Sequence, residues 1–388
     1  MSEFSEKSLH NKVKLNWIII SLLLGIILVL GGMLLYFWHQ KGDNKETVGD
    51  TDSVILINET NFPDPLFRSY VQENFDTNKD GVLSKPEADA VTKIEVDKDY
   101  DAPDSEKISS LKGIEYFSEL KYLDCGFNQL TGLNVSKNTE LTELYCYYNQ
   151  LTTLDVSKNV KLEKLSCTYN QLTNLDVSKN TELKFLYCRD NQLTTLDVSK
   201  NTKLTELSCS HNQLTTLDLS KNTKLTGLDC NNNQLKRLDI SKNTELEYLD
   251  CSDNQLTTLD LSKNTKLPFL FCDNNQLKRL DVSKNTELTE LFCGFNQLTT
   301  LDVSKNTELK WLSCSENQLA SLDVSKNTEL SILSCSENQL ASLDVSKNTE
   351  LTGLSCGGNQ LTTLDVSKNT ELKYLECDDD VAVTGYNN

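Results

Sequence analysis

The chain has 388 residues, with 57 acidic against 38 basic side chains and a formal net charge of -19. A balance that acidic excludes nucleic acid as a partner, because nucleic acid demands a basic face. The thirteen cysteines are odd in number and contain no C-x-x-C pair, which argues against a closed disulfide framework and against zinc.

Residues 1–16 are polar and carry Lys7, Lys12 and Lys14. Trp17 to Trp38 then runs for 22 residues without a charge. That length matches a bilayer core. Trp17, Tyr36, Phe37 and Trp38 stand at its ends, where interfacial aromatics belong. No small-x-small cleavage site follows, so the pattern predicts an uncleaved transmembrane helix over 17–38. The lysine bias puts 1–16 in the cytoplasm and the C-terminal bulk outside a plasma membrane, as a single-pass protein. Residues 39–53 are polar and read as a stalk.

Residues 54–90 read as a small helical cap. Asp64-Pro65 is a helix start, with a capping side chain followed by proline at the first helical position. Leu66, Phe67, Tyr70, Val71 and Phe75 follow at helical spacing on one face. Residues 76–87, DTNKDGVLSKPE, match the EF-hand calcium loop position by position. Asp76, Asn78 and Asp80 supply side-chain oxygens, Gly81 the sharp turn, Val82 its carbonyl, Ser84 a water-mediated contact and Glu87 a bidentate carboxylate. This predicts a Ca2+ site. Ser84 and Glu87 also form a capping box for the exiting helix.

Val91, Ile94 and Val96 begin a different pattern, interrupted by the acidic insert 97–107, so 91–119 reads as a degenerate first repeat. From 120 to 377 one 21-residue unit recurs thirteen times, L-x-x-L-x-C-x-x-N-x-L-x-x-L-D-V-S-K-N-T-x, with every cysteine in phase from Cys125 to Cys377. This is the leucine-rich-repeat signature with cysteine at the third apolar position. One unit cannot fold alone. Its six inward apolar groups contribute roughly 10 kcal/mol, against about 20–40 kcal/mol for ordering its backbone. Stacking supplies the missing contacts and ladder bonds. The expected fold is a solenoid with a parallel β-sheet on the concave face and turns or 3₁₀ segments on the convex face. Leu144 and Cys146 point inward, while 143, 145 and 147 point outward. In-register cysteines sit about 4.8 Å apart with parallel side chains, beyond the roughly 3.5–4.5 Å that a disulfide prefers. They are therefore expected to be small buried hydrophobes. Asn149 and its equivalents form a buried column satisfying backbone groups, and Asp155 caps an outer turn. Residues 378–388 are a tail.

The units differ mainly at the outward strand positions and before the Asn. Tyr145, Tyr147, Tyr148, Tyr169, Phe185, Tyr187, Tyr248, Phe269, Phe271, Phe292, Phe295 and Trp311 stand there. Aromatics in one outward patch mark an interface, so these residues are the candidate ligand face. The three histidines, His10, His39 and His211, stand in no nucleophile–base arrangement, and no phosphate loop or paired acids suggest an enzyme. A non-specific spacer of the cell envelope is the competing expectation.

Residues 58–388 resemble the internalin-like leucine-rich-repeat surface proteins of Gram-positive bacteria. The likeness rests on NFPDPLFRSYV, the 76–87 loop, ISSLKGIEYFSELKYLDC and the NQLTTLDVSKNT repeats. It implies a surface-exposed protein that binds an extracellular protein or glycan ligand in adhesion or host contact. The chain departs from that pattern in its strand cysteines, its 21-residue unit and its N-terminal anchor.

Overall fold

A computed structural model describes residues 54–386. Among them no helix is long and apolar enough to cross a membrane. The span predicted over 17–38 and the stalk 39–53 lie outside the described residues.

The cap opens with strand β1 (Ile55–Leu56) and helix α1 (Pro65–Asn74). Asp64 starts α1, accepting from the amides of Leu66 and Phe67 with Pro65 behind it. Phe67 and Val71 are fully buried by the helix. Strand β2 (Val82–Leu83) pairs antiparallel with β1, and helix α2 (Lys85–Ala90) follows with the Ser84–Glu87 capping box formed. The second oxygen of Asp64 accepts from the amide and hydroxyl of Ser109, each at 2.8 Å, and so ties the cap to the first repeat. Gly113 has φ +106°, and a Cβ there would overlap the Phe62 ring. Phe62 in turn packs on Phe67 and Tyr116.

Fourteen parallel strands then form one sheet, beginning with Lys93–Glu95 and ending with Tyr374–Glu376. The first belongs to the degenerate repeat, and the other thirteen to the regular units. Register is leucine to leucine through the regular units, with Leu249 facing Leu228 on one side and Leu270 on the other, and Ile94 facing Leu123 at the start. Each strand has only three residues, because a 21-residue unit must turn back quickly. The central Leu is buried from Leu123 to Leu354 and half-buried at Leu375, and the Cys that follows each strand is buried from Cys125 to Cys356. Cys377, in the last unit, is half-buried.

Two asparagine columns hold the bends. Asn149 donates to the carbonyls of Cys125 (2.9 Å), Cys146 and Tyr147, and accepts from the amide of Leu130 (2.9 Å). Its carbonyl and both amide hydrogens are therefore used, as a buried amide requires. The second column, the Asn of each S-K-N-T, is fully buried from Asn138 to Asn348 and nearly so at Asn369.

The convex side consists of turns. Asp155 accepts from the amide of Ser157 at 2.9 Å, closing an Asx turn, and Asn159 donates its own amide to Val156. The 3₁₀ alternative expected there is not taken. The two-residue Asx closure leaves no room for it, and the described 3₁₀ segments are Asp104–Glu106 and Ile114–Tyr116, before the regular array. At the far end Thr363–Asp365 pairs in parallel with Ala382–Thr384, burying Val381 while Val383 stays exposed.

Candidate functional site

Outward side chains on three-residue strands stand in register, so like residues in neighbouring units meet. The twelve aromatic candidates do not form one patch. They divide into a set on the concave strands and a set along the edge where the strands end.

On the concave face Tyr248, Phe271, Phe292 and Trp311 make a continuous ring ladder, with centroids 5.7, 4.9 and 5.0 Å apart. Phe269 lies beside it in strand Phe269–Phe271 and is exposed. Tyr145 and Tyr187 are on the same face but are tied to carboxylates. Tyr145 donates to Glu143 at 2.7 Å and Tyr187 to Glu206 at 2.5 Å. Burial first, and then those carboxylates, push both phenols up. Burial, with Asp250 and Asp229 adding, pushes Tyr248 up to about 12. Phe185 lies under the ammonium of Lys164 at 5.7 Å.

Tyr148, Tyr169 and Phe295 belong to the edge. Each occupies the residue before the buried Asn and has positive φ, near +50°. That conformation swings the side chain off the sheet face. Phe127, Tyr148 and Tyr169 stack at 4.5 and 4.1 Å, and Tyr147 meets Phe127 edge-on. Tyr100 of the acidic insert closes over Phe127 and Tyr148. The outward patch expected from sequence is thus corrected: backbone handedness at one position splits it. Eight of the twelve aromatics are half-buried, mostly by one another, and only Tyr248, Phe269, Phe295 and Trp311 are exposed.

Sequence reading missed Tyr100, Phe127 and Tyr122. Tyr122 stacks on Tyr145 at 5.5 Å. Phe127 was findable, since it holds the same repeat position as Tyr148. It also missed Gly227, which leaves a dent in the concave face between Glu206 and Tyr248. The resulting groove holds about 450 Å³ and is lined by Tyr187, Glu206, Asp229, Glu247, Tyr248 and Phe269 among others. Deeper in the face, burial raises Asp250, and it lifts Asp273 to about 6.

In the cap loop the predicted ligands are brought into one tight turn. Asp76 accepts from the amides of Asp80 (3.1 Å) and Gly81 (2.9 Å), Asn78 from Asp80, and Asp80 from Val82. Glu87 accepts from the amide and hydroxyl of Thr77 and from those of Ser84, spanning the loop. The Thr77 hydroxyl and the Ser84 amide hold Glu87 down at about 2. Gly81 has φ +79°, as the sharp turn needs. Among the described residues no three His, Cys, Asp or Glu side chains converge as a metal cluster. The donor types do fit a hard cation: carboxylates, an amide oxygen, a carbonyl and a hydroxyl, all oxygen.

The "Leucine Rich repeats (2 copies)" family profile matches residues 181–222 and 223–266. The functional domain of InlJ from Listeria monocytogenes, which includes a cysteine ladder, is 38% identical, with a TM-score of 0.75 over 84% of this chain and 76% of that one. The chain belongs to the internalin-type leucine-rich-repeat family. Internalin InlF of Listeria monocytogenes superposes with a TM-score of 0.66 at 24% identity, over 88% of this chain and all of that one. A leucine-rich-repeat protein of Leptospira interrogans follows at 0.63 and 23% identity, covering 80% and 86%, and these two likenesses concern the fold alone. No curated protein matches the sequence.

The internalin-type fold points to protein binding or adhesion. Like the InlJ domain, this chain stacks its cysteines in a column. All thirteen are free, and burial raises their thiols, so the column is packing rather than reactive chemistry.

Proposed function

We propose that this internalin-type protein is held in the plasma membrane of a Gram-positive cell by 17–38 and captures an extracellular protein on its concave aromatic face. The Tyr248–Phe271–Phe292–Trp311 ladder carries the reading. These rings sit on a sheet whose backbone is held in register on both sides, so presenting them costs little ordering entropy. Large aromatics that project from a rigid scaffold, with faces still open to water, supply the anchors that interfaces use. Calcium at the 76–87 loop, held by Asp76, Asn78, Asp80, Val82, Ser84 and Glu87, would supply charge neutralisation that stiffens the cap.

The test is partner capture from the extracellular milieu by the full chain. Serine replacements at Tyr248, Phe271, Phe292 and Trp311 should leave the sheet folded and reduce capture at least tenfold. Serine replacements at Lys158, Lys200, Lys263 and Lys284 on the convex turns should leave it unchanged. Capture that survives the aromatic set but not the lysine set places the contact on the convex edge. No saturable capture by the parent protein supports the envelope-spacer reading instead.

A further inference from the structure

The groove over Gly227 has a chemistry of its own. Its walls are the Tyr187 and Tyr248 rings, and its carboxylates are Glu206, Asp229 and Glu247. No lysine or arginine lines it. Glu206 is met by the Tyr187 hydroxyl at 2.5 Å, and Asp229 by the hydroxyls of Ser208 and Ser210 at 2.9 and 2.8 Å. Those donors are neutral, and the cations that act on this charge, Arg189 on Asp229 and Lys266 on Glu247, do so without lining the groove.

The contrast with the preceding units is direct. There, Lys164 pairs with Glu143 at 3.4 Å and Lys184 with Glu163 at 2.6 Å. From the strand Glu206–Ser208 through Glu290–Phe292 the outward strand positions hold acids and aromatics, with Ser208 and Gly227 between them, and no base. The nearby Lys266 is already engaged by Glu245 at 2.6 Å, outside the groove.

We infer that the Gly227 groove receives an arginine or lysine side chain of the protein partner. A cation there meets carboxylates on both sides and the faces of aromatic rings, which attract it through their quadrupole. Gly227 makes the space. Its Cβ position has only the Glu206 Cγ nearby, at 3.5 Å, and its backbone is ordinary strand, so a larger residue fills the dent without strain. The inference rests on the concave-face reading above and names the chemistry of the partner: a basic segment.

The test uses the full chain and a labelled peptide of alternating arginine and glycine, with an alternating glutamate–glycine peptide and a neutral N-acetylglucosamine oligomer beside it. The arginine peptide should bind, and the other two should not. Glu206→Gln with Glu247→Gln, which keeps the Tyr187 bond, should weaken it about tenfold, as should Gly227→Leu. Asp218→Asn with Asp239→Asn removes the same charge from the convex turns and should change nothing. Equal weakening by the convex pair means bulk charge alone and overturns the inference, as does binding of the neutral oligomer in place of the peptide. If Phe271→Ser and Phe292→Ser abolish partner capture while the groove variants bind the peptide like the parent, the groove inference falls and the concave-face reading stands. If partner capture is indifferent to the aromatic variants, that reading falls by itself.

Discussion

Asn159 reaches back one repeat: its side-chain amide donates to the backbone carbonyl of Asn138 at 2.8 Å and to that of Val135 at 2.9 Å. The same pair of bonds recurs along the column, and the amide oxygens of these residues have no hydrogen-bond partner. The column therefore works through its donors. Replacing one, as in Asn222→Ala, removes two hydrogen bonds while the carbonyls of Val198 and Asn201 each keep a backbone amide donor, which costs about 1–3 kcal/mol. Thr223→Ala, at the exposed neighbour, should cost less than about 0.5 kcal/mol. Denaturant unfolding of the two variants decides it. Equal costs would mean that the column adds nothing.

That column also marks a limit of what could be read from the chain. The period, the inward Leu and Cys, and the role of Asn149 follow from spacing alone, because a repeated residue on a two-residue alternation has one place to go. The S-K-N-T asparagine looks like surface turn polarity, and only the closed turn reveals that its amide faces inward. The edge position was hidden for a related reason. Tyr148, Asp190 and His211 share no chemistry, yet all adopt positive φ. What they share is backbone, dictated by the bond network of the following Asn, and side-chain identity carries no trace of it. Gly227 became meaningful only beside the bulk of its neighbours in the adjoining units.

The cysteine column predicts a specific reactivity. Denatured, unreduced protein should consume close to thirteen equivalents of a thiol reagent. Folded protein at mildly alkaline pH should react slowly and first at Cys377, the one that is half-buried rather than buried. Desolvation raises the buried thiols, so little thiolate forms while the array is intact. A count near one in the denatured state would mean paired cysteines and contradict the in-register packing.

Asp273 gives a pH signature. Burial raises its folded value to about 6 from 3.8. Between those values the folded chain binds more protons than the unfolded one, so this group's contribution to stability falls as pH rises through the window. Asp273→Asn keeps an oxygen for the amide of Gly294, which now donates to it at 2.8 Å, and discards the charge. The variant should match the parent near pH 4 and exceed it above pH 6 by on the order of 1–3 kcal/mol. Urea melts of both proteins at the two pH values test this. A variant less stable at neutral pH would show that the carboxylate is favourable where it sits.

The cap makes the last prediction. Glu87 bridges Thr77 and Ser84, so the loop is already closed at both ends by one carboxylate. Leu83, inside the same loop, is fully buried, and β2 pairs with β1. Anything that stiffens the loop therefore stabilises the first layer of core, where Phe62, Phe67, Val71 and Phe117 close the end of the array. A lone extracellular calcium loop binds at roughly 10⁻⁴–10⁻³ M. At about 10 mM calcium that range corresponds to about 2.7 kcal/mol or less at the upper end of affinity, by mass action. Glu87→Gln loses a protein bond as well as a ligand, so its starting stability drops. The informative quantity is the rise on adding calcium, present in the parent and absent in the variant. Lys112→Ala, which removes a bond to the Thr60 carbonyl elsewhere in the cap, should lower the starting point yet keep the rise. A rise that persists in Glu87→Gln would move the metal out of this loop and toward the acidic insert at 97–107.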